Sequence, residues 1–391
     1  MPPERAYDLI LLGATGFTGG LTAEYLARHA PDRLRWALAG RNPAKLAAVR
    51  DRLAAIDPGL AELPLLTADV TDPASLRAVA ESARVVATTV GPYVHHGEPL
   101  VAACAAAGTD YVDITGESEF VDLMYVRHHA EAVRTGARLV HACGFDSIPH
   151  DLGAWYTVKQ LPADGPVTVD GYVRAGGRFS AGTYHSALTA FARTGEMGRA
   201  ARARRAVEPR PEGRRVRAVP GRVGRVREFG QWAAPLPTID PQIVRRSAAA
   251  RPEYGPDFRY RHFAAMKRLP TVLVSGIGLA AVVGLVKVPP TRRWLLGRLS
   301  SGQGPSAEQR AKSWFRVRFV GAGGGRRVVT EVAGGDPGYD ETAKMLAESA
   351  LCLAFDDLPA TAGQLTPVAA MGDALLDRLI RAGITFRTLK A

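Results

Sequence analysis

Cysteine is scarce in this sequence. Cys104, Cys143 and Cys352 lie far apart in 391 residues, with no CxxC and no Cys/His metal spacing. An odd, scattered set excludes a disulfide framework and a zinc finger, so no metal is expected and a reducing, cytoplasmic compartment fits. Aromatic residues are also few, at 7%. They are not interleaved with the basic residues, so single-stranded nucleic acid, which is held by stacking, is not an expected partner. No basic-then-apolar leader precedes the first strand pattern at Tyr7, and no signal peptide is expected.

Acidic residues are thin in one stretch in particular. From Arg193 to Arg227 there are twelve arginines against Glu196, Glu208 and Glu212, an excess of nine positive charges in a chain of net charge +12. Two readings stand: a solvated, partly mobile loop, or a docking face for an acidic carrier protein, a lipid headgroup or nucleic acid, the last being the weakest.

What is present is an ordinary globular composition, 47% apolar and 23% charged, in a chain long enough for two domains. Residues 1–150 alternate short apolar runs with helical patterns. Strands are predicted at Tyr7–Gly13, Trp36–Gly40, Leu63–Val70, Arg84–Gly91, Tyr111–Gly116 and Arg138–Gly144, with helices such as Pro43–Ile56 and Pro73–Ala83 between them. That rhythm predicts an α/β fold, a Rossmann-type doubly wound parallel sheet covered on both faces.

The first strand runs into GATGFTG, a GxxGxxG turn between strand and helix. Glycines let the backbone approach a pyrophosphate, and a helix N-terminus offers free N–H groups to it. Gly13, Ala14, Thr15, Gly16, Phe17, Thr18 and Gly19 are therefore candidate dinucleotide ligands. The second strand lacks the acid that holds the ribose 2′-hydroxyl of NAD: Gly40 stands there, followed by Arg41, Asn42 and Lys45. A guanidinium forks onto a 2′-phosphate, so NADP(H) is the expected cofactor. Asp69 and Val70 are placed beside the adenine, and Thr89, Gly91 and Pro92 near the ribose and nicotinamide.

Beyond residue 160 the pattern changes. VTVDGYVRA, WFRVRFVGA and RRVVTEVAG alternate with period two, and Gly323–Gly325 joins the last two as a hairpin. Residues 151–391 read as a second α+β domain with a mixed or antiparallel sheet and helices at Thr342–Phe355 and Gly372–Ala382. Thr271–Val286 is uncharged for sixteen residues between Lys267, Arg268 and Lys287, Arg292, Arg293. As a helix it is short for a transmembrane span. It suits a buried or dimer-interface helix, or one lying in a single leaflet with its basic flanks at the headgroups (the apolar segment is taken as 271–288).

GATGFTG, AGRN, GPYVHHGEPLVAACAAAGTDYVDITGE and CGFDSIPHDLG, continued by SAGTYHSAL and the hairpin region, resemble the saccharopine dehydrogenase-like oxidoreductases over nearly the whole chain. The nearest likeness is to bacterial trans-acting enoyl reductases. The resemblance implies NADP(H)-dependent reduction of an α,β-unsaturated acyl or polyketide thioester in lipid biosynthesis, on a homodimer, with contact to a lipid surface. Enoyl reduction needs a donor for the enolate oxygen and a proton for Cα. Tyr93 and His95 follow the fourth strand, and Tyr184 and His185 begin a predicted helix; these are the catalytic candidates. The bland alternatives are that Tyr93 covers the cofactor and His95 caps the next helix. Asp146, Ser147 and His150 do not read as a triad, because Asp146 or Ser147 before Pro149 looks like a helix start. Asp113 and Glu117 could orient a substrate or, more commonly, pair with an arginine. Two rivals remain: a saccharopine-like amino-acid dehydrogenase, which needs arginines in its cleft, and a catalytically silent NADP-binding scaffold.

Overall fold

The computed structural model describes residues 5–177, 188–189, 191–288, 290–291, 294 and 304–391. The first sheet grows from β1 (Tyr7–Leu12), whose six residues YDLILL alternate between two buried faces. Leu9 and Leu11 enter one core, Ile10 and Leu12 the other. The chain continues through α1 (Phe17–His29), β2 (Trp36–Gly40), α2 (Pro43–Ala54), β3 (Leu65–Thr67), α3 (Pro73–Ser82), β4 (Ala83–Thr88), α4 (Tyr93–His96), α5 (Glu98–Ala107), β5 (Asp110–Asp113), α6 (Ser118–Thr135), β6 (Arg138–Val140) and α7 (Ile148–Val158). Asn42 and Asp72 cap α2 and α3, each followed by proline in the first turn, which fixes where both helices start.

The second half runs β7 (Pro166–Gly176), α8 (Thr194–Val207), β8 (Arg215–Ala218), β9 (Gly224–Val226), β10 (Gln231–Pro235), α9 (Asp240–Ala250), β11 (Asp257–Met266), α10 (Leu269–Val286), α11 (Ala307–Ala311), β12 (Trp314–Gly323) and β13 (Arg326–Gly334). It ends with α12 (Asp340–Phe355), β14 (Gly363–Leu365), α13 (Pro367–Ala370), α14 (Gly372–Arg381) and β15 (Thr385–Lys390).

The first sheet has the order β14-β6-β5-β4-β1-β2-β3 and is parallel throughout. Its first six strands have the doubly wound dinucleotide order. The seventh, β14, comes from the far end of the chain, and α12 packs against α1 and the β1–β4–β5 face. Residues 340–365 thus return to the sheet built by residues 1–150.

The second sheet is mixed, in the order β15-β13-β12-β7-β11-β10-β9, with β8 also on β11. β7 and β8 run parallel to β11, and the other pairs are antiparallel. The β12–β13 hairpin closes through Gly324 and Gly325, both at positive φ (+55° and +75°), as a tight two-residue turn requires. Helix α7 packs on β7, β12 and β13 of the second sheet. Its Leu152, Trp155 and Val158 join one core with Val167, Phe258, Phe319 and Val332.

Two expectations change. The arginine-rich stretch is only in part a solvated loop. Residues 194–207 form α8 against α6, Arg204 is 3% exposed and pairs with Asp122 and Glu208, and Arg193 forks onto Glu119 at 2.6 and 2.9 Å. Asp122 and Glu119 on α6 draw these arginines in, a long-range pairing that local charge density does not reveal. The apolar helix, in turn, is not buried within the chain. Over its eighteen residues α10 has a mean hydropathy of 2.2 with 13% buried, and Leu273, Val274, Ile277 and Leu285 are exposed.

Candidate functional site

The glycine turn is a cradle at the carboxyl edge of the parallel sheet. Gly13 follows β1 at φ +95°, and its N–H donates to Ala39 O at 3.0 Å. Gly16 precedes α1 and offers no side-chain cap, so the first N–H groups of that helix are open to an anion. A Cβ on Gly19 would stand 2.2 Å from Gly13 O and 2.7 Å from Thr89 Oγ1, so packing requires glycine there. A Cβ on Gly16 would meet only Gly13 O at 3.4 Å, so at that position the space beyond the turn is left free. Thr15 and Gly16 are exposed, Thr18 is half-buried and Ala14 is buried. Thr89 Oγ1 donates to Gly13 O at 3.2 Å and ties β4 to the turn. Phe17 is turned to packing: its ring meets Tyr339 edge-on at 4.8 Å, with the Arg310 guanidinium 5.5 Å above it.

At the end of β2, a Cβ on Gly40 would make only ordinary contact with Leu46 at 3.5 Å. An acidic side chain is therefore absent without being sterically excluded. Arg41 and Lys45 beside it are exposed, and Asn42 Oδ1 accepts from Lys45 N at 3.0 Å. Asp69 sits near Arg41; hydrogen bonds from the Thr71 N–H and hydroxyl, then the Arg41 charge, hold its carboxyl below the usual range. Val70 is half-buried beside it. These residues fit NADP(H): a cradle closed to side chains at Gly19, an open helix N-terminus, and exposed cations where a 2′-phosphate would lie.

Past β4, Gly91 is exposed and Pro92 leads into α4. Tyr93 is 5% exposed; its hydroxyl donates to Thr88 O at 3.1 Å and accepts from Ile114 N at 3.3 Å. Burial, then Asp113, pushes its phenol well above the usual range. The tyrosine braces the ends of β4 and β5. His95 is exposed on α4, and helix α5 takes Gly97 as its cap residue, so His95 does not cap it. Tyr184 and His185 lie outside the described residues. Glu117 accepts from Tyr93 N at 3.1 Å and Val94 N at 2.7 Å, holding α4 in place. Asp113 pairs with the buried His141 at 2.7 Å, where an arginine was the commoner expectation.

The family model described as Saccharopine dehydrogenase NADP binding domain matches residues 9–140. A Mycobacterium tuberculosis protein provisionally named a trans-acting enoyl reductase is 40% identical over 420 residues, covering 99% of this chain and 98% of its own. A trans-acting enoyl reductase of Mycobacterium bovis is 37% identical over 429 residues, covering 100% of this chain and 99% of its own. The chain belongs to the saccharopine dehydrogenase-like trans-acting enoyl reductases. It is an oxidoreductase with NADP(H) as its cofactor. Apo saccharopine dehydrogenase (L-Glu forming) of Saccharomyces cerevisiae shares the fold, with a TM-score of 0.55 at 13% identity, covering 98% of this chain and all of that one.

In this trans-acting enoyl reductase family member, the loop after β6 brings together what the sequence left apart. Asp146 is half-buried, and a Cβ on Gly116 would stand 2.8 Å from its Oδ2, so the carboxyl lies at the carboxyl edge of β5. Burial and the neighbouring Asp240 push it up to about 6, against the pull of His150. Ser147 Oγ is buried with no hydrogen-bond partner among the described residues, so no base activates it and the triad is absent. His150 instead meets Asp240 Oδ1 at 2.8 Å, and His262 Nε2 stands 3.4 Å from Asp240 Oδ2. Tyr260 Oη lies 3.0 Å from His262 Nδ1. The donor atoms of His150, Asp240 and His262 lie within 4.8 Å of one another, close enough to hold a cation. Nothing in the local sequence marks this cluster, because α7, α9 and β11 contribute one residue each.

Proposed function

We propose that this chain reduces the α,β double bond of an acyl or polyketide thioester presented in trans by a synthase, with NADPH as reductant. The observation that carries this reading is the match, end to end, to relatives named trans-acting enoyl reductases. NADPH, when bound, supplies a hydride to Cβ; the protein must orient the thioester, stabilise the enolate oxygen and protonate Cα. Two side chains at the β4–β5 edge suit the proton transfer by position, the exposed His95 and the half-buried Asp146. Tyr93 serves position rather than acidity, since its hydroxyl already bonds both strand ends.

Beside the β4–β5 edge the pairing of arginines disfavours a saccharopine-like imine, and the arginines unpaired among the described residues lie farther off, beside β14. An imine bearing several carboxylates needs free arginines in the cleft. Arg193 is bound by both oxygens of Glu119, and Arg204 by Asp122 and Glu208. Purified protein screened with NADPH against enoyl thioesters and imino-acid precursors tests the reading. Oxidation of NADPH only with imines would replace it by the dehydrogenase, and oxidation with neither by the silent scaffold.

The chain meets its substrate at a lipid surface on the cytoplasmic side. Helix α10, at roughly 1.5 Å rise per residue, spans about 27 Å, against a hydrocarbon core of about 30 Å. Its exposed Val274 and Ile277 and its basic flanks Lys267, Arg268 and Lys287 suit a helix lying in one leaflet. Flotation with anionic vesicles should carry the protein upward, less so in high salt, and not after Val274→Asp with Ile277→Asp. Failure to float, with a dimer in light scattering that the same substitutions split, would assign the helix to a homodimer interface instead.

A further inference from the structure

A cavity of about 690 Å³ lies between α6, α9 and β14, lined by Arg205, Arg210, Arg214, Arg215, Arg245 and Arg246. Glu208 is the one carboxylate in its wall. That carboxylate is already shared: it binds Arg204, accepts from Arg246 at 2.7 Å and stands 3.7 Å from Arg245. Arg246 is 8% exposed, so part of this positive charge is held away from water. Arg214 is spent on the carbonyls of Ala248, Arg251 and Gly255 at 2.8–3.1 Å. Arg205, Arg210 and Arg215 are exposed at the mouth and have no carboxylate partner among the described residues. His129 in the wall is pushed below its usual range by burial and by Arg246, so it does not offset the excess either way.

A concentration of guanidinium groups around an open volume attracts an anion, and the fork geometry of arginine favours phosphate. The volume is that of a ligand pocket, larger than a free phosphate needs. The cavity is not the cofactor's pyrophosphate site. Strand β14 is four strands from β1 in the sheet, about 19 Å at the usual strand spacing, but only two from β5, about 10 Å.

We propose that this cavity binds the phosphate end of a phosphopantetheine arm, so that the thioester at the other end of the arm reaches back to the β4–β5 edge. The proposal rests on the acyl-thioester reading above and deepens it. The same arm occurs in coenzyme A and on acyl carrier proteins, and the chemistry is shared.

The experiment uses the intact chain and begins without turnover. Binding of 4′-phosphopantetheine and of coenzyme A is measured by calorimetry for the wild type and for Arg205→Ala/Arg210→Ala/Arg215→Ala, whose exposed side chains leave the core untouched. Each lost charge-assisted contact should cost severalfold, so the triple variant should bind at least tenfold more weakly. Pantetheine, which lacks the phosphate, should bind both proteins equally weakly. In turnover, the variant should raise KM for a phosphopantetheinyl enoyl thioester and leave KM for the phosphate-free N-acetylcysteamine thioester unchanged. A stronger effect with a holo-carrier substrate than with the coenzyme A thioester names the carrier as the source; the reverse names coenzyme A. Unchanged phosphopantetheine affinity in the variant overturns the proposal even if enoyl thioesters are reduced. Arginine-dependent binding without any reduction overturns the enoyl reductase reading and leaves the anion site standing.

Discussion

Gly19 and Gly13 face each other so closely that a single added carbon on Gly19 would fall 2.2 Å from the Gly13 carbonyl oxygen. Gly16, between them, has no such constraint, and a Cβ there points past the turn at 3.4 Å from the same oxygen. Structure therefore demands one glycine, and ligand access the other. Gly16→Val should leave a folded protein, by circular dichroism, that has lost NADPH binding in a fluorescence titration. Wild-type affinity in a folded Gly16→Val protein would show that phosphate does not lie over this turn.

Arg41 is exposed at the end of β2, where Gly40 replaces the acid of an NAD site. Arg41→Ala should weaken NADPH binding by about 1.5–3 kcal/mol, the range for a hydrogen bond between charged groups, with little change for NADH. Dissociation constants for both cofactors decide it, and equal losses would remove Arg41 from the 2′-phosphate.

His95 and Asp146 occupy the same edge of the sheet, one exposed and one half-buried. Loss of a general acid typically lowers kcat by about 10²- to 10⁴-fold. Whichever of His95→Gln and Asp146→Asn removes the donor should lower kcat by that order with NADPH affinity intact. If both variants keep wild-type kcat, the proton comes from elsewhere.

Much of the first domain was legible because its signals are local. An apolar strand, a glycine turn and a proline-started helix each announce themselves within ten residues, and the β1–α1–β2 unit lies where the sequence places it. What escaped was set by distant partners. β14 is three residues long and has meaning only beside β6. Arg204 looks solvated until Asp122 and Glu208 close on it. His150, Asp240 and His262 are each unremarkable alone, and the resemblance of CGFDSIPHDLG to a helix start hid the site around it: α7 does begin at Ile148, but no side chain caps it.

Glu331 on β13 is fully buried and meets Arg316, Arg318 and Arg387 at 3.0, 2.8 and 2.6 Å. Burial raises its carboxyl, but the three guanidinium groups outweigh this and hold it below the usual range. Its contribution to stability is therefore complete above the unfolded value, about 4.3, and is lost as pH falls through the lower native value. Glu331→Gln should cost about 1–3 kcal/mol at neutral pH, less than a fully buried pair because the arginines are partly exposed. The gap between variant and wild type in thermal melts should narrow below about pH 4.3. A gap that stays constant into acid would mean that the arginines do not depend on this charge.

The fate of the hydride tests the central claim most directly. Protein turned over with NADPH deuterated at the transferred position and an enoyl thioester should give a saturated product carrying one deuterium at Cβ, with Cα protonated from solvent, as read by mass spectrometry and NMR. A product labelled at the carbon of a reduced imine, or no label transfer to any thioester, would contradict it.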